Sequence, residues 1–256
     1  MKKSFLNHEK PLYTVMIQRE TPEEAIDIIQ RGTKLGADAF GLQTCKLLPE
    51  HRNLKTYKRI FDAAPDKPFY ITNYRHCSND GKSDDELGTD MVSFIKAGGT
   101  LVDIMGDLYD RHPEELTDNP EAIQKQMQLI EEIHQAGGEV LMSSHVLKFT
   151  PAERVLEIAR EHVRRGADIV KIVTGAEDMT QQIENLRIVD LLKKELKVPF
   201  LYLSGGECKI LRRIGGMLGC GLYLCVLEHD GTTTPTQPIF EHLKAIHENF
   251  IDEGGE

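Results

Sequence analysis

The amino-acid sequence predicts an α/β protein of the (β/α)8 or TIM-barrel class, one domain across residues 1–256, and three observations carry that prediction. One spelling recurs in LGADAFGLQ from Leu35, KAGGTLVDIM from Lys96, QAGGEVLMSS from Gln135 and RRGADIVKIV from Arg164. In each, a small-residue turn separates a polar helical stretch from an apolar run rich in strand formers. The alternation repeats about eight times, the count and length a closed barrel needs. No Pro/Gly/Ser-rich linker or change of composition divides the chain.

In chain order, YTVMIQ from Tyr13 supplies the first strand, and Thr21-Pro22-Glu23-Glu24 then offers an N-cap hydroxyl, a proline at the first helical position and a glutamate for a capping box. LGADAFGLQ and APDKPFYITNYR from Ala64 give strands two and three, and KAGGTLVDIM gives strand four. Asn119-Pro120 opens the next helix, which leads into QAGGEVLMSS as strand five. Thr150-Pro151-Ala152-Glu153 repeats the capping signature before strand six, RRGADIVKIV. LKVPFLYLS from Leu196 and LGCGLYLCVL from Leu218 complete the set. An open doubly wound sheet is the other arrangement this alternation allows.

Composition narrows the function. A net charge of -10, without long acidic runs, argues against nucleic acid or an anionic membrane as the main partner. MKKSFLNHEK lacks an apolar h-region, and no stretch approaches the ~18 uninterrupted apolar residues of a membrane span, so a soluble cytoplasmic protein is expected. The cysteines, Cys45, Cys77, Cys208, Cys220 and Cys225, show no Cys-x-x-Cys spacing and suit free thiols.

Within ADIVKIVTG, Lys171 is a cation in the middle of a strand covered on both faces. Bringing a lysine amine to near neutrality costs about 4 kcal/mol at ~1.4 kcal/mol per pKa unit. Such a residue is a desolvated nucleophile for a substrate carbonyl, a side chain that snorkels out to water, or the partner of a buried acid such as Asp103 or Asp107. Barrel chemistry belongs at the C-terminal strand ends. Gln43, Asn73, Arg75, Asp107 and His145 stand there, with Ser204-Gly205-Gly206-Glu207 and the Glu228 to Thr234 loop beyond strands seven and eight. His145, on the strand beside Lys171, is placed to move protons at neutral pH. Arg75 and Arg212 suggest an anionic substrate, a carboxylate or phosphate.

With EVLMSSH and ADIVKIV so spelled, the chain resembles type I 3-dehydroquinate dehydratases over nearly its whole length, from TVMIQRETPEEA to TTTPTQPIFEHL. The resemblance implies that Lys171 forms an imine with a substrate ketone and that His145 is the general acid and base of a β-elimination of water. It implies a carboxylate-binding Arg212, fixed by Gly215 and Gly219, with Gln237 and Thr233 in the loop after strand eight and Arg75 after strand three. It also implies a homodimer, a place in the shikimate pathway, and chemistry that needs no cofactor and no metal.

The chain departs from the family where Glu-x-Arg on strand two reads Gly41-Leu42-Gln43, where a glutamate after the strand-three arginine reads Asn79, and where Asp-x-Glu on strand four reads Asp103-Ile104-Met105. Those groups recognise substrate hydroxyls and brace the histidine in the family. Gln43, Asn73, Asp107 and His76 are therefore expected to rebuild hydroxyl recognition, and the substrate is 3-dehydroquinate or a related hydroxylated cyclic ketone. Three other readings fit parts of the pattern. One is a class I aldolase-like barrel on a phosphorylated sugar, and another is a metal-dependent sugar isomerase or epimerase using Asp107, His145 and Glu207. The last is a catalytically silent regulator that binds a small acid.

Overall fold

The computed structural model describes residues 3–250; residues 1–2 and 251–256 of the expected domain lie outside that range. Eight strands run as β1 Leu12–Ile17, β2 Ala39–Gln43, β3 Phe69–Thr72, β4 Leu101–Met105, β5 Glu139–His145, β6 Ile169–Gly175, β7 Phe200–Gly205 and β8 Leu222–Cys225. Between and after them lie α1 Pro22–Leu35, α2 Leu54–Phe61, α3 Asp84–Lys96, α4 Pro120–Gln135, α5 Ala152–Arg165, α6 Met179–Glu195, α7 Leu211–Leu218 and α8 Phe240–Glu248. All pairings are parallel and the order is β7-β6-β5-β4-β3-β2-β1-β8, so the sheet curls into a nearly closed barrel of the expected class. Across the remaining seam, Gly221 N, just before β8, donates to Phe200 O on β7 at 2.9 Å.

The glycine-containing turns work as their spelling suggests. Gly36 and Gly166 end α1 and α5 at φ 90° and 104°, a left-handed conformation that costs glycine little, and the chain then drops straight into the next strand. Thr21 caps α1 with the complete capping box, and Asn119 caps α4 through Glu121 N and Ala122 N. The second expected capping box does not form. Helix α5 starts at Ala152 with Pro151 in the cap position, and the Thr150 hydroxyl donates to Lys148 O instead.

Alternation along each strand decides which residues reach the interior. On β3, Phe69 and Ile71 pack outward against Phe61 and Phe94 of the helix layer, whereas Tyr70 points inward to Asp103 of β4. The β5–β6 register pairs Ser143 with Lys171 and His145 with Val173. His145 therefore stands one inward-facing level above the lysine, toward the C-terminal mouth where the barrel opens.

Candidate active site

Lys171 is 4% exposed and sits at the floor of a cavity of about 450 Å³ at the C-terminal end of the barrel. Its ammonium donates to Tyr70 Oη at 3.2 Å, Tyr74 Oη at 2.6 Å and Asp103 Oδ2 at 3.1 Å, a full complement for three N–H bonds. The mid-strand lysine is thus the partner of a buried acid, Asp103, and faces a cavity as well. Asp103 accepts in addition from Ser143 Oγ at 2.5 Å, from Tyr74 at 2.7 Å and from Tyr70. Burial alone would raise its pKa, but the Lys171 charge, His145 and the donated hydrogen bonds outweigh burial and hold the carboxyl below its ordinary range. Burial and the Asp103 charge push both tyrosines well above 10, so they remain neutral donors.

His145 lines the same cavity, with its ring edge-on to Tyr74 at a centroid distance of 5.4 Å. Nδ1 pairs with Glu115 Oε2 at 2.5 Å, and the same oxygen accepts from the His145 backbone N–H at 2.6 Å. Nε2 is therefore the ring nitrogen left to face the cavity. Sequence reasoning missed Glu115, which comes from the long connection between β4 and α4, where no periodic pattern places a side chain. The loop is anchored from behind: Ser144 Oγ donates to Glu115 O, and the buried Arg165 donates to Gly106 O, Gln126 Oε1 and Thr117 O.

Arg212 lines the same cavity from the start of α7, and its Nε donates to Ser204 O at 3.0 Å. No carboxylate pairs with it among the described residues, and burial next to Arg213 lowers its pKa to about 10, leaving it charged at neutral pH. A buried guanidinium without an acid is a ready receptor for a substrate anion. Gln237 also lines the cavity, and its Oε1 and the Thr72 hydroxyl are buried there without a partner. Buried polar atoms are seldom left so unless a ligand completes them.

On the β2 side, Gln43 lines the cavity and accepts from Gln18 Nε2, which also donates to Thr234 Oγ1; Thr234 N donates back to Gln18 Oε1. Gln18 was not anticipated, although it lies immediately beyond the first strand where barrel chemistry gathers, and Thr234 was named only as part of the loop after strand eight. Neutral amides and a hydroxyl thus line this side of the cavity. His76 lines the mouth nearby.

Four expected residues are not brought to the cavity. Thr72 and Tyr74 face it, so Asn73, one residue out of phase, points away and is held by the Thr44 hydroxyl and by Asn79 and Arg52. Arg75 is consumed by a two-pronged bond to Asp84 and by Asp107 Oδ1 at 2.7 Å, which ties up Asp107 as well. The Thr233 hydroxyl turns back to Glu228 O. The metal-dependent reading loses its ligand set, because Asp107 is bound to Arg75 and Glu207 does not line the cavity that holds His145. Among the described residues, no helix is long and apolar enough to cross a membrane.

The comparisons agree with this arrangement. The family model described as type I 3-dehydroquinase matches residues 13–250. A 3-dehydroquinate dehydratase from Alkaliphilus oremlandii (strain OhILAs) is 30% identical over 120 residues, 46% of this chain and 47% of that protein, so the match spans about half the length of that curated relative. The 3-dehydroquinate dehydratase structure from Geobacillus kaustophilus HTA426 superposes with a TM-score of 0.81 at 15% identity, covering 98% of this chain and 97% of that one. The type I enzyme from Clostridium difficile, described with covalently modified comenic acid, gives 0.78 at 16% identity over 96% and 94%. At these identities the superpositions speak for the fold. A family match over nearly the whole barrel, on a chain whose lysine and histidine meet in one cavity, settles the kinship: the chain belongs to the type I 3-dehydroquinase family.

Proposed function

We propose that the chain is an imine-forming hydro-lyase that removes water from 3-dehydroquinate or a closely related hydroxylated cyclic keto acid. The observation that carries this reading is the convergence of Lys171, the Glu115-braced His145 and an acid-free Arg212 on one cavity. Arg212 and Gln237 hold the substrate carboxylate, which sets the ketone toward Lys171. Lys171 gives up a proton, its amine adds to the ketone carbon, and the carbonyl oxygen leaves as water. The resulting iminium carries its positive charge where the ammonium stood, against Asp103 and two neutral tyrosine hydroxyls, so the site is already arranged for the charge it must stabilise.

The iminium withdraws electrons from the adjacent carbon, and His145 Nε2 removes a proton there. Glu115 stays hydrogen-bonded to Nδ1 and keeps Nε2 aimed at that carbon. The electron pair then expels the β-hydroxyl, which leaves as water with the proton His145 returns, and hydrolysis of the imine frees a conjugated enone and Lys171. Gln18, Gln43 and Thr234 supply neutral partners for the remaining hydroxyls, and such partners discriminate strongly between substrates that can and cannot satisfy them. A homodimer, a cytoplasmic location and a step in the shikimate pathway complete the reading by family likeness.

The test is growth of enone ultraviolet absorbance when purified protein meets 3-dehydroquinate. Turnover that disappears in Lys171→Ala supports the reading. Full turnover in that variant contradicts it, and turnover only of a ketone with another hydroxyl pattern moves the substrate while keeping the chemistry.

A further inference from the structure

The β2 and β3 connections bring together three side chains that the proposed elimination does not use. Cys45 lies in a short 3-10 turn after β2, and His76 and Cys77 lie in the loop after β3. Their ligand atoms all fall within 4.8 Å of one another: His76 Nδ1 is 3.5 Å from Cys45 Sγ and 3.0 Å from Cys77 Sγ. With metal bonds of about 2.3 Å to sulfur and 2.0–2.1 Å to nitrogen, ligands at neighbouring corners of a tetrahedron stand roughly 3.5 Å apart. The trio needs only small side-chain shifts to reach that spacing.

The backbone points the same way. Cys77 has φ 58°, a left-handed conformation that a residue with a Cβ adopts at a cost, and in that conformation its thiol faces Cys45 and His76. All five cysteines are free, so no disulfide accounts for the placement. Among the described residues no other group of histidine, cysteine and carboxylate side chains is gathered so closely.

We propose that Cys45, His76 and Cys77 form a binding site for a thiophilic divalent cation of the zinc class at the mouth of the cavity. Two sulfurs and an imidazole select zinc over magnesium or calcium, which require oxygen ligands. Three protein ligands leave one tetrahedral position for water or a substrate oxygen, the pattern of an open site. The site sits on the side of the mouth where the neutral glutamines stand: Gln43 Nε2 lies 3.5 Å from Cys45 Sγ, and both Gln43 and His76 line the cavity. Binding one cation releases both thiol protons to solvent and leaves two thiolates on the metal, with no change of oxidation state. None of this uses Lys171, so the site and the elimination stand or fall separately.

The test uses the full chain, kept reduced with a phosphine and stripped with a chelator, titrated with Co²⁺ and then with Zn²⁺ in competition with a chromophoric chelator. One Co²⁺ per chain, with a thiolate-to-cobalt charge-transfer band and strong tetrahedral ligand-field bands that Zn²⁺ abolishes, is the expected result. Outer partners of metal ligands alone are worth about 10–100-fold in affinity, so Cys77→Ser and His76→Gln, both at exposed positions, should each weaken Zn²⁺ by more than about 100-fold. Cys208→Ser should leave it unchanged. A weak octahedral cobalt spectrum, or zinc affinity indifferent to Cys77→Ser and His76→Gln, overturns the proposal. These two variants decide the matter even if Cys45→Ser, at a buried position, fails to fold.

Discussion

Lys171 and His145 were legible in the sequence because their residue types are costly where they stand: a cation in a covered strand and an imidazole at the end of the next one. Glu115 was not, since it reaches His145 from a loop whose path depends on tertiary anchors. Arg75 was read as a substrate ligand because a strand-end arginine has that look, but Asp84 and Asp107 close around it first. In the proposed mechanism Glu115 is a positioning residue, holding the histidine ring and its tautomer through Nδ1. Glu115→Gln should therefore lower kcat on the order of 10²-fold with a small effect on KM, while covalent capture of substrate on Lys171 persists. Steady-state kinetics check this, and kcat within about twofold of the parent would remove Glu115 from the mechanism.

At the level of elements, the recurring turn spelling located β2, β4, β5 and β6, because small residues before a β-branched run mark a helix end and a strand start together, and the looser apolar runs located the other four. Two finer expectations failed for local reasons. Thr150 gave its hydroxyl to Lys148 O, and Asn73 fell on the outer phase of β3. The β4–α4 connection is the element on which the proposed mechanism leans most, because it carries Glu115. Arg165 lies on α5 with its side chain 1% exposed and holds this connection through Gly106, Thr117 and Gln126 while pairing with Glu161. Replacing it by a side chain of similar length leaves Thr117 O and Gln126 Oε1 unmet, while Gly106 O keeps the Gln126 and Thr117 N–H groups. Arg165→Met should cost about 3 kcal/mol or more in urea unfolding and lower kcat in the manner of Glu115→Gln. Unchanged stability would show that the loop holds without it.

For the whole molecule, the barrel interior joins β3, β4, β5 and β6 through one buried network of Tyr70, Asp103, Ser143 and Lys171. Asp103 titrates below its unfolded value near ~3.9, so the stability it contributes is fully present above about pH 4 and is lost as pH falls through the lower folded value. Urea midpoints should fall as pH drops below about 4, and Asp103→Asn should flatten that portion while lowering stability by about 3–5 kcal/mol, since it strands a buried ammonium. An unchanged acid limb in the variant would place the proton uptake elsewhere. The central claim is that the same network serves a covalent step at Lys171. Its most direct measurement is borohydride reduction of the protein incubated with 3-dehydroquinate and related cyclic keto acids, followed by peptide mass spectrometry. A reduced adduct on Lys171, absent in Lys171→Ala, is the predicted result; an adduct on another lysine, or none with any of these ketones, would contradict it.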